Sequence, residues 1–142
     1  MSASAQTATA RTSRVVAVLA SLASGAIYLL IGIGVVSVGR STDGATTDLF
    51  GFGALMAIVS VAVAAGVWLA PGSRLVLIGV AIVQLIALIG YVAAAGLREP
   101  PFDLWGILIK VGQGTVLVAT VYLFSERDRW VAASRSLKGG AA

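Results

Sequence analysis

Four long apolar runs divide the chain: Val15–Gly39, Leu49–Ala70, Leu75–Leu97 and Leu104–Phe124. A hydrocarbon layer of about 30 Å is crossed by ~20 helical residues, and each run is at least that long. The stretches rich in Val and Ile do not alternate apolar with polar positions in short segments, as the strands of a membrane barrel do. The pattern therefore predicts an all-α fold, an integral membrane four-helix bundle of two antiparallel hairpins. It forms a single transmembrane domain over residues 14–125, with TM1 at 15–39, TM2 at 49–70, TM3 at 75–97 and TM4 at 104–124.

The segments between the runs read as short turns. Arg40–Asp48 holds Ser, Thr, Asp and Gly. Pro71-Gly72-Ser73-Arg74 ends one helix at Pro and Gly and offers Ser73 as the cap of the next. Arg98-Glu99-Pro100-Pro101-Phe102-Asp103 stops TM3 at paired prolines and supplies Asp103 as the N-cap of TM4. Residues 1–13, small and polar with nothing to bury, read as a disordered tail. Residues 126–142 read as a basic tail. TM1 follows Arg11 and Arg14 as a secretory signal would. Its length exceeds a signal's apolar core and no convincing A-x-A cleavage site follows it, so it is expected to remain as an anchor.

Composition reinforces this class. Apolar residues make up 58% of the 142 positions and charged ones 11%, against roughly 25% charged in a soluble domain. Mean hydropathy is +0.99. The chain has no Cys and no His, which removes thiol chemistry, the commonest zinc and haem ligand, and the usual general base near neutral pH. No metal or cofactor is expected. With no soluble domain to present a basic surface, nucleic acid is not an expected partner either.

Charge placement predicts orientation. Both termini and the second connector share one side, which carries Arg11, Arg14, Arg74, Arg127, Arg129, Arg135 and Lys138. The opposite side has Arg40 and Arg98 beside Asp43, Asp48, Glu99 and Asp103. Basic residues near helix ends stay in the cytoplasm, so both termini are expected there. The excess of Arg over Lys, with abundant Ala, Gly and Val, suggests a GC-rich bacterial genome and hence a bacterial plasma membrane.

The hairpins echo each other. TM2 opens with Asp48-Leu49-Phe50-Gly51 and TM4 with Asp103-Leu104-Trp105-Gly106, and Val67-Trp68-Leu69 is matched by Val121-Tyr122-Leu123. Aligning Arg40 with Arg98 also aligns Gly32 with Gly90. These matches fit a parallel two-hairpin pseudo-repeat. They equally fit the gathering of aromatics at membrane interfaces and the use of Asp as a cap.

Polar residues inside a span are costly and informative. Gln84, Tyr91 and Arg98 recur every seven residues along TM3, two turns apart, and so share one stripe. Asp103, Lys110, Gln113 and Thr120 share a face of TM4. Folding the hairpin about Pro100-Pro101 sets Arg98 level with Asp103 and Tyr91 level with Lys110. Gln84 and Gln113 are offset by ~6 Å, which calls for tilt or a bridging water. The candidate polar seam is therefore Gln84, Tyr91, Arg98, Asp103, Lys110 and Gln113, with Tyr28 of TM1 in reach. Small faces for close helix approach comprise Ser21, Gly25 and Gly32, then Gly53 and Ala57, then Gly106 and Gly114.

For Lys110 the preferred reading is snorkelling, its ammonium lifted toward Asp103 or Glu99. A second reading lines an outward-facing cavity that receives an anionic headgroup or substrate; a third pairs it with an acid of a partner chain. At the level of function, the expected role is a non-catalytic accessory or structural subunit, associated with lipid and with other membrane proteins or itself. The alternative is a small transporter or a lipid- or anion-binding protein built on the seam. An enzyme is not expected. Ser60 is the one serine worth testing, since no His accompanies any of them.

Overall fold

A computed structural model describes residues 3–37, 40–41, 49–95, 98–99 and 102–139. Within them the protein is all-helical: α1 (Ala3–Gly32), α2 (Leu49–Leu69), α3 (Arg74–Ala95), α4 (Leu104–Ser125) and α5 (Arg127–Gly139). The first four are long and apolar enough to cross a membrane. A two-residue antiparallel pairing, Arg40 with Glu99 and Ser41 with Arg98, ties the first connector to the third. Residues 42–48, 100 and 101 of those connectors, with Asp43, Asp48, Pro100 and Pro101, lie outside the described residues.

Helix ends follow local chemistry. Asp103 Oδ1 accepts the Gly106 amide at 2.7 Å and caps α4. Ser73 Oγ accepts the Val76 amide at 3.4 Å at the start of α3. Helix α1 departs from the expected TM1 at both ends. It stops at Gly32 rather than Gly39, because Gly34 takes a left-handed φ of 76°. There the Gly34 amide donates to the Ile31 carbonyl and the Val35 amide to the Leu30 carbonyl. This is the Schellman stop, which suits glycine because it has no Cβ to clash. At the other end, the stretch expected to be a disordered tail is helical from Ala3.

That extension persists because α5 packs on it. Ala10 and Ala133 are buried and Trp130 packs against the main core. The expected basic tail is thus an amphipathic helix clamped to the bundle end. Its Trp130 donates to the Leu123 carbonyl at 3.2 Å, and Arg127 Nε donates to the Gly72 carbonyl at 2.6 Å. Arg74 pairs with Asp128 at 3.0 Å, and Arg129 with Glu126 at 2.9 Å.

Helix α1 is the central element, packed along both α2 and α4; α3 lies chiefly against α4. Of the apolar windows, 33% of residues are buried in α1 and α4 but 17% in α3, so α3 is peripheral. Two apolar clusters form the core. The larger joins Ala17, Val63, Val67, Leu77, Val80, Val116 and Leu123 toward the end that holds the termini. The smaller joins Tyr28, Ile31 and Ile109 toward the other end. Between them in sequence and space lie the buried polar residues Ser21, Ser24, Ser60 and Gln113.

Close approach of α1 and α2 depends on small residues. A Cβ on Gly53 would stand 2.8 Å from the Gly32 Cα, and one on Gly25 2.9 Å from the Ser60 Cβ. Gly106 is required for a different reason, since a Cβ there would run into the Tyr91 ring. Gly114, expected in a packing face, has nothing within 4 Å of where its Cβ would be and forms no close contact. Gly90 is likewise open while Gly32 is packed, so the two aligned glycines are not equivalent in space.

Candidate functional site

The polar residues of the spans converge on Lys110. The Lys110 ammonium donates to the Ala87 carbonyl of α3 at 3.1 Å, to Tyr28 Oη of α1 at 3.3 Å and to Gln113 Oε1 one turn further along α4. Gln113 turns its Nε2 to the same Tyr28 hydroxyl at 3.3 Å. An ammonium has three donors, and three acceptors from three helices meet it. The Ala87 carbonyl can accept in addition to its helical bond, because a carbonyl oxygen has two lone pairs.

Aromatic rings complete the cage. Lys110 Nζ lies 4.9 Å from the centroid of the Tyr91 ring and 5.9 Å from that of Tyr28. The face of an aromatic ring attracts a cation, more strongly where water is excluded. Behind Tyr28 stands Phe52, edge-on at 5.9 Å, and behind Tyr91 stands Phe102 at 6.2 Å. The absent side chain of Gly106 seats Tyr91. Two rings and three oxygens thus surround the ammonium.

The direction of the side chain is the main difference from the sequence reading. Snorkelling would take the ammonium toward Asp103, one seam residue nearer the rim. Instead it turns toward Gln113, deeper in the bundle, and Asp103 is occupied as a helix cap. The heptad stripe does bring Tyr91 and Lys110 together. Gln84 remains apart from Gln113: it is buried at 4% exposure, and its Oε1 has no hydrogen-bond partner among the described residues. The same holds for Thr120 Oγ1, which is fully buried. The side chain of Arg98 lies outside the described residues.

Ser60, the serine singled out as a nucleophile, donates to the Met56 carbonyl at 2.8 Å. Ser24 donates to the Ala20 carbonyl at 2.9 Å, and Ser21 crosses to the Ser60 carbonyl at 2.8 Å. All three hydroxyls are satisfied on helix carbonyls, Ser24 and Ser60 within their own helices, and Ser21 alone of the three joins α1 to α2. Two contributors escape a reading of side-chain types, the Ala87 carbonyl and the Phe52–Phe102 backing. The carbonyl carries no signature in a sequence, whereas Phe52 and Phe102 stand in it as aromatic residues near span ends. Comparison with protein-family models, with curated proteins and with solved structures found no match to this chain.

Proposed function

We propose that this protein is a non-catalytic membrane subunit, a pre-assembled four-helix bundle that works by associating with other membrane proteins or with further copies of itself. The observation that carries this reading is the internal satisfaction of Lys110. A cation meant to hold an anion needs at least one donor turned toward the ligand. Here the carbonyl of Ala87, the amide of Gln113 and the hydroxyl of Tyr28 take the three, and the cation serves to lock α1, α3 and α4 together. The alternative, an anion- or lipid-binding transporter built on the seam, requires Lys110 to release one of them.

Association is supported by α3, whose outward residues Ile82, Ile86 and Ile89 are exposed and whose Gly79 and Gly90 leave open space on the helix. Small residues permit close approach of a further helix. We place the protein in a bacterial cytoplasmic membrane with both termini in the cytoplasm, on the strength of seven basic residues at one end against two at the other. Because the chain lacks cysteine, Ile86→Cys gives a unique attachment point for a photo-crosslinker in native membranes. A stoichiometric adduct of defined mass is expected. Monomer without adduct, in membranes and in digitonin, overturns the reading.

A further inference from the structure

A second polar cluster lies at the opposite end of the bundle from the Lys110 cage, where α1, α2 and α5 meet. Thr7, Ala10, Arg11 and Arg14 of α1 line one wall of a recess there, and Trp68 and Trp130 line the other. Positions 7, 10, 11 and 14 fall on one face of a helix, so the two arginines open into the same space. The recess measures about 190 Å³, many times the ~10–15 Å³ that a single water requires.

Arg14 is pre-positioned. Its guanidinium stacks 5.0 Å from the Trp68 ring centroid and donates through Nη2 to the Trp68 carbonyl at 2.8 Å. That leaves Nε buried with no hydrogen-bond acceptor among the described residues. A buried donor without an acceptor is uncommon in a native structure, and a bound ligand is one way such a group is satisfied. Among the described residues, no acid lines the recess. The acids nearest in sequence to Trp130 are engaged by other bases, Asp128 by Arg74 and Arg127 and Glu126 by Arg129. Two guanidinium groups therefore face a recess that holds no counter-charge among the described residues.

The depth of the recess identifies the ligand. Arg14 immediately precedes the apolar run of α1, and Trp68 stands one residue from the end of α2. Tryptophan at a span end marks the headgroup level of a bilayer. We infer that this recess binds the phosphate of an anionic lipid headgroup, with Arg11 and Arg14 as its donors and the tryptophans as its walls. Guanidinium suits phosphate because its planar N–H fork matches two oxygens at once.

Trp68 and Trp130 report binding directly. The full chain in dodecyl maltoside, titrated with dioctanoyl phosphatidylglycerol, should show a saturable change in tryptophan fluorescence. Dioctanoyl phosphatidylcholine should bind at least tenfold more weakly, because its headgroup carries no net charge. Arg11→Gln, which removes no hydrogen bond within the protein among the described residues, should weaken phosphatidylglycerol about fivefold. Arg14→Lys should weaken it too, while Arg14→Gln tests the loss of both charge and fork. Equal affinity for the two lipids, no saturable change, or an Arg11→Gln variant indistinguishable from the parent overturns the assignment. Sodium phosphate binding as tightly as phosphatidylglycerol, and displacing it, would assign the site to a soluble phosphate instead of a lipid.

Discussion

Gly53→Ala places one methyl group where the backbones of α1 and α2 come close. Its carbon would lie 2.5 Å from the Tyr28 carbonyl oxygen, 2.8 Å from the Gly32 Cα and 3.0 Å from the Gly32 nitrogen. Ordinary contact begins at 3.4 Å, so the three contacts fall short by about 0.4 to 0.9 Å and the helices must part by about 0.9 Å to clear them all. Every obstructing atom belongs to the backbone, and no rotamer change relieves it. Overpacking costs about 1–3 kcal/mol, and a rigid obstruction puts the cost in the upper half of that range. Replacing glycine by alanine inside a helix returns about 1 kcal/mol through propensity. The net destabilisation is therefore about 1–2 kcal/mol. Gly114→Ala is the matched control, since it meets nothing within 4 Å and keeps the propensity gain alone. Titration of the two proteins with sodium dodecyl sulfate in mixed micelles, followed by far-ultraviolet circular dichroism, should separate them by about 2–3 kcal/mol. A Gly53→Ala protein as resistant as Gly114→Ala would refute the close crossing of α1 and α2.

Three other outcomes follow from the same geometry. Lys110→Leu should leave insertion intact but strip a donor from three acceptors, lowering stability by about 1–3 kcal/mol in the same titration; a more stable variant would show that burying the cation costs more than its contacts return. Asp103→Ala should lose about 1 kcal/mol through the exposed amide of Gly106, whereas Asp103→Asn keeps an acceptor and should stay within a few tenths, which amide exchange across the first turn of α4 resolves. Trp130→Ala should release α5 from the first turns of α1, seen as faster amide exchange in both segments with the spans unchanged; unaltered protection would mean that Ala133 and Arg127 hold α5 without it.

Much of the architecture could be read from residue order because the membrane permits few solutions. Long apolar runs, the Pro71-Gly72 turn and the Asp103 cap act locally, and local rules need no knowledge of neighbours. The seven-residue spacing also brings Tyr91 to Lys110, since helical geometry alone decides which residues share a stripe. The direction of the lysine was beyond such rules. It turns inward because Tyr28 arrives from α1 and a backbone oxygen from α3, and neither is visible on α4. The helical extension before Val15 escaped for a related reason. Its small residues have no apolar periodicity strong enough to announce a helix, and only the docking of Trp130 and Ala133 gives them something to cover. Gly114 shows another limit: a small residue permits close approach, but whether a helix of the same bundle comes near is not written at that position, and among the described residues none does.

The order in which the cage residues occur along the polypeptide has a bearing on biogenesis. Tyr28 and Ala87 are translated before Lys110 and Gln113, so two of the three oxygens stand in the bilayer when the charged span emerges. The cation can thus be solvated inside the nascent bundle at the moment it leaves water. A permuted gene that encodes the last span first would leave the ammonium with Gln113 alone until Tyr28 and Ala87 were made.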